Sequence, residues 1–215
     1  MSQTKIGVGM INATSIGDAK LLQGDGAWVT PAGAWVMLTS SVASASASIT
    51  FTDITSTYDT YCIALSDIKN ATDDVDLYMR TGDSSGIDTA AADYQWGDIT
   101  GKFNSQAAQG TPITMEDQTD SEINITGDYG GGMDLAATST MGGMIYLHAP
   151  ADAVGLAIFT WMVTVSNIAD DTDASKVVIG SANRQAVITT DRIQLYMSSG
   201  NITSGRATLY GISHS

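Results

Sequence analysis

The chain has 215 residues, a length for one domain with an arm rather than two full domains. A domain of this size buries about 70% of its unfolded surface and needs neither disulfide nor metal to hold a core. Nine Lys and Arg against 23 Asp and Glu give a net charge of −14, which argues against a nucleic-acid partner, since phosphate binding depends on clustered basic side chains. Cys62 alone excludes an internal disulfide framework, and His148 and His214 leave little material for a histidine-based metal site or triad. The start has no apolar stretch of signal-peptide length, and the most apolar run, 154–165, is too short to cross a bilayer.

All but two of the acids, Glu116 and Glu122, are Asp. Asp bonds to nearby backbone and favours turns over helix interiors. With 22 Gly and abundant Ser and Thr, the composition describes strands joined by polar turns.

Residues 1–34 stand apart as a docking arm that is mostly irregular. Ser15 and Asp18 form a capping-box pattern that predicts a short helical turn reaching Leu22, with Gly24 beyond its end. Gly24-Asp25-Gly26 is a turn signal, and Trp28 to Pro31 reads as extended chain. Leu21, Leu22, Trp28 and Pro31 are the particle-docking candidates, because exposed apolar groups on an arm need a surface to cover them.

The outer domain spans 35–215. The low-complexity run 39–48 alternates small apolar and polar residues and reads as an extended strand. Period-2 patterns follow at 49–54, 58–68 and 74–81, with Tyr61, Ile63 and Leu65 on one face of the second and Val75, Leu77 and Met79 on one face of the third. Shorter runs lie at 92–96, 99–103, 113–115, 122–126, 143–149, 176–179, 185–189, 192–197 and 206–212. The run 156–168 is apolar on both faces over 156–165, which places it centrally or at a subunit contact. Strands at roughly ten-residue spacing without helical periodicity predict an all-β, antiparallel sandwich of jelly-roll type.

No catalytic, cofactor or metal site is expected. Asp73, Asp74 and Asp76, and Asp170, Asp171 and Asp173, lack the spacing of an EF-hand loop and read as solvated turns and strand ends. Gly7-Val8-Gly9 lacks the third glycine of a dinucleotide fingerprint, and Gly130-Gly131-Gly132 lacks the Lys of a phosphate loop. No Ser sits in a nucleophile elbow near His148. Asn12, Asn70, Asn124 and Asn201 open glycosylation sequons that read as by-products of Asn- and Thr-rich turns. Tyr94, Trp96 and Tyr129 lie in the Asp- and Gly-rich middle and are the candidates for stacking on a sugar, with burial under a loop as the competing structural role.

Two stretches carry a resemblance. Residues 22–31 resemble the GDG-x-W-x-x-P junction that precedes an outer domain in many bacteriophage fibre proteins. Residues 58–61, 70–80 and above all Ile193-Gln194-Leu195-Tyr196-Met197 through Gly205-Arg206-Ala207-Thr208-Leu209-Tyr210-Gly211-Ile212 are similar to a β-rich carboxyl-terminal module of phage fibre and decoration-type virion proteins. The resemblance implies a place on the virion surface, other virion proteins as partners, and a homotrimer. Such fibres usually carry a long stalk before the module. The short arm here implies an outer domain seated close to the particle, as a capsid decoration or a short head or tail fibre. A glycan-binding receptor tip is the first alternative and a polysaccharide-degrading enzyme the second.

Overall fold

The computed structural model describes residues 21–22, 28–29, 34–104, 113–127, 129, 131–135, 137–150, 152, 154–169 and 171–213. The chain divides into two units, Met1–Gly33 and Ala34–Ser215. In the first, β1 (Leu21–Leu22) and β2 (Trp28–Val29) pair antiparallel, with Leu21 opposite Val29 and Leu22 opposite Trp28. The helical turn expected to reach Leu22 is therefore not what these two residues form, and the rest of that turn lies outside the described residues. A two-turn helix has few hydrogen bonds to offset its nucleation cost, so strand pairing wins easily.

The second unit is all strand. In chain order it contains β3 (Trp35–Ser46), β4 (Ile49–Phe51), β5 (Thr60–Asn70), β6 (Leu77–Asp83), β7 (Gly86–Ile87), β8 (Tyr94–Asn104), β9 (Ile113–Asp120) and β10 (Ile123–Asn124). Then follow β11 (Thr140–His148), β12 (Ile158–Ile168), β13 (Asp171–Arg184), β14 (Arg192–Met197) and β15 (Ile202–Ile212). No helix occurs among the described residues. One sheet of eight strands runs β3-β15-β5-β11-β12-β13-β8-β9, and one of five runs β10-β6-β14-β4 with β7 beside β6. The two antiparallel sheets form a sandwich, as the alternation of the sequence predicted.

The chain changes sheets at almost every step from β3 to β6 and again from β13 to β15. Long excursions stay on the large sheet: β8 and β9 pair with each other, as do β11, β12 and β13 in succession. The core lies between the inner faces. Tyr61, Ile63, Ile145, Phe159 and Val163 of the large sheet meet Phe51, Leu77, Met79, Ile193 and Leu195 of the small one, all buried.

Strand β5 shows how local chemistry serves this core. Its buried residues run Tyr61, Ile63, Leu65 and then Ile68, breaking the period of two. β5 carries an extra residue against both neighbours here, and Asp67 takes a positive φ of 53°. Asp tolerates that conformation better than most residues. The bulge returns Ile68 to the core, where strict alternation would have turned it outward.

Candidate functional site

Strand β8 decides the fate of the expected sugar contacts. Its inward positions are Tyr94, Trp96, Asp98 and Thr100, and Tyr94 and Trp96 are only 0% and 4% exposed. The Tyr94 hydroxyl accepts from the Thr81 N–H at 2.8 Å and the Arg184 guanidinium lies over its ring. Both rings are core, which removes them from any glycan surface. Tyr129 is half-buried, and its carbonyl accepts a hydrogen bond from Lys176.

Lys176 is a functional residue for the architecture that sequence reasoning passed over. It faces inward from β13 at 0% exposure. Its Nζ donates to the carbonyls of Gly127, Tyr129 and Gly131 at 3.0, 3.2 and 2.7 Å. The three Asp of the 73–76 run bond to neighbouring residues of the same segment. Asp73 and Asp74 accept from the N–H groups of Leu135 and Gly132, and Asp76 accepts from the Thr126 hydroxyl. Among the described residues no cluster of metal-ligating side chains occurs. Of the other acidic run, Asp170 and the side chains of Asp171 and Asp173 lie outside the described residues, as do Pro31 and His214. Leu21, Leu22 and Trp28 are strand residues of the first unit. His148 Nε2 lies 3.1 Å from the Thr160 hydroxyl, and its ring stacks on Tyr146.

The feature that stands out is the outer face of the large sheet. Ile99, Ile179, Met162 and Met144 are successive register partners on β8, β13, β12 and β11. They are 46%, 51%, 58% and 42% exposed. Ile158, Phe103, Trp35 and Met37 extend the apolar surface toward its ends. The run that looked apolar on both faces is β12, fifth of the eight strands: Phe159, Trp161, Val163 and Val165 enter the core while Ile158 and Met162 face out. The remaining described outward side chains of β8, β13, β12 and β11 carry no carboxylate and are mostly Gly, Ser, Thr, Gln and Asn; the side chains of Asp171 and Asp173 at the start of β13 lie outside the described residues. Asp67 borders the face at its bulge, bonded to the Thr140 hydroxyl. Beside the apolar row, Leu65, Asp67, Gly142, Thr164 and Ser166 line an open depression of about 390 Å³, with the Asp67 carboxylate at its margin.

At the β3 end of this face Trp35 meets Tyr146 and Tyr210 edge-on, with ring centroids 6.2 and 5.7 Å away. Such packing presents ring edges rather than one flat platform. Cys62 lies fully buried in this part of the sheet, opposite Tyr146 on β11 and Tyr210 on β15. Burial pushes its thiol up to about 11, against a smaller lowering by the Tyr146 hydroxyl. At pH 8 native Cys62 should react with a disulfide reagent about 100-fold more slowly than in urea, from thiolate content alone. Because the folded value exceeds the unfolded one, this contribution to stability is present below pH 9 and is lost as pH rises through about 11. Equal labelling rates in native and unfolded chain would refute the burial.

The outer face of the small sheet is chemically opposite. Arg80 and Glu122 pair at 2.7 Å, Arg80 lies 4.8 Å from the Tyr196 ring centroid, and Tyr78 meets Tyr196 edge-on. Burial alone would raise the Glu122 carboxyl, but hydrogen bonds from Ser121 and Arg80 outweigh it and hold the group below its usual range. This face is a satisfied polar network suited to water.

No family model, curated protein or solved structure shows a significant match to this chain.

Proposed function

We propose that the chain is a structural protein of a bacteriophage particle, a capsid decoration or a short head or tail fibre. In this reading residues 1–34 dock on the particle, and the sandwich sits on the virion surface as a self-associated subunit, trimeric as the resemblance implies. One observation carries the reading: two of the fibre-like stretches, 70–80 and the ending, far apart in sequence, build a single corner of the sandwich. Ala71 N–H donates to the Asn201 carbonyl at 3.0 Å, and Ser198 N–H donates to the Asp76 carbonyl at 2.8 Å. The Ser198 hydroxyl accepts from Asp76 N–H at 3.0 Å. Strands β14 and β15, which carry the strongest resemblance, occupy interior positions in the small and large sheets respectively. The resembling residues thus specify the scaffold itself rather than a surface decoration that any fold might carry.

The strand order supports the same reading at a finer level. We read β3-β15-β5-β11 against β4-β14-β6-β10 as the two halves of a jelly roll, with β8–β9 and β12–β13 as insertions that widen the large sheet. A rigid, turn-rich, acidic sandwich suits a coat component that must stay soluble and avoid released nucleic acid.

Peptides of this chain should appear in fixed proportion to the major coat protein when purified particles are analysed by mass spectrometry. A chain lacking residues 1–31 should keep its β-rich circular dichroism and fail to join the particle. Normal incorporation of that truncated chain would overturn the docking assignment.

A further inference from the structure

We infer that a second copy of this chain covers the outer face of the large sheet, so that the row Ile99, Ile179, Met162 and Met144 lies at the centre of a subunit contact. The inference rests on the self-association in the reading above and names the surface responsible; it does not depend on where the chain resides.

Charge is the first argument. A subunit at −14 repels its own copies. Any stable contact between copies must therefore avoid opposed carboxylates. Among the described outward side chains of β8, β13, β12 and β11 there is no Asp or Glu. The small sheet fails this condition, because Glu122 lies on its outer side with Arg80 and Tyr196. A basic partner would be drawn to the acidic remainder of the molecule, not to this face. A like-charged copy is the partner for which an apolar row free of carboxylates is needed, with Asp67 left at the margin of the contact beside Lys69.

Size is the second argument. The face from β8 to β3 spans seven strands, or about 29 Å at the usual strand spacing. The outward run Ile158 to Ser166 on β12 adds about 26 Å along the strands. The product, roughly 750 Å², is close to the ~800 Å² that each partner contributes to a standard stable interface. The composition agrees: Met, Trp, Phe and Tyr are enriched at interface centres, where charged residues are depleted. Shape adds a third element. The Met144–Met162 pair is adjacent to the 390 Å³ depression over Gly142 and Thr164. A flexible methionine from one copy can enter that depression on the other, and thioether side chains adapt readily to such gaps.

Sedimentation of the full chain, wild type and variants, tests this. Wild type at micromolar concentration should give a mass of two or more subunits. Met162→Glu with Ile179→Glu should shift it to one subunit and raise the dissociation constant at least about 100-fold, with the same circular dichroism spectrum. If that variant does not fold, Met162→Thr with Ile179→Thr keeps strand-forming residues and should weaken association at least about 10-fold. Thr50→Glu, on the opposite sheet, should leave the mass unchanged. A wild-type monomer would overturn both the self-association and the face. An oligomer that survives the substitutions would overturn the face alone, and with it point to another surface for assembly.

Discussion

Replacing Lys176 with Met should cost about 3 kcal/mol or more of stability, because three carbonyl oxygens lose their donor at once. Two effects oppose each other here. Removing a buried charge relieves its desolvation cost, and where the partners are replaced as well, an apolar substitute can be neutral. The partners in this case are backbone carbonyls of Gly127, Tyr129 and Gly131, which no mutation of Lys176 removes. The unsatisfied acceptors therefore decide the sign. For a domain of this size the loss corresponds to a melting temperature lower by about 6–12 °C. Lys69→Met is the comparison: its ammonium reaches the Ala137 carbonyl and Asp67 from an exposed position, so the change should stay within about 0.5 kcal/mol. A Lys176→Met protein that melts with the wild type would show that the 127–131 segment does not depend on this side chain.

The second large effect is expected at Gly180. A methyl group there would sit 2.0 Å from Cζ2 of Trp161 and 2.3 Å from its Cε2. The indole is 2% exposed, and its N–H has no hydrogen-bond partner among the described residues. The ring has to move if the space is taken. Gly180→Ala should lower stability by about 1–3 kcal/mol, the range for overpacking a close-packed core. The denaturant midpoint should fall at unchanged slope, and tryptophan emission should shift as Trp161 is displaced. Unchanged stability and emission would mean that the ring does not lie over Gly180.

These two positions mark the boundary of what the sequence could reveal. Alternation read the strands well where one face is apolar. Ile193, Leu195 and Met197 alternate with polar residues and are buried. Tyr61, Ile63 and Leu65 are buried as their spacing predicts. The same parity applied to 174–178 puts Lys176 on the face of Ala174 and Val178, so an inward lysine was legible. Its carbonyl partners lie about fifty residues earlier in the chain and leave no local signal.

The sugar candidates were misplaced for a related reason. The alternation gives 92–96 and 99–103 as two short runs broken at Gly97 and Asp98, in an Asp- and Gly-rich middle where Tyr94 and Trp96 are open either to sugar stacking or to burial. In the fold β8 runs unbroken through Gly97, and Asp98 is itself buried beside Thr100, whose hydroxyl donates to it. Long-range pairing with β13 overrode the weak local propensities. The outer face of β12 was visible as a second apolar side. The row across four strands needed the register, which juxtaposes Ile99, Ile179, Met162 and Met144 from segments widely separated in sequence.

Methionine oxidation of intact, purified particles with hydrogen peroxide bears most directly on the whole account. The single sandwich leaves Met144 and Met162 open to reagent. The chain should be recovered from the particles, and Met144 and Met162 should stay largely unoxidised until the particle is taken apart, then oxidise rapidly. Absence of the chain from particles, or oxidation of both residues in the intact particle as fast as in the unfolded chain, would contradict it.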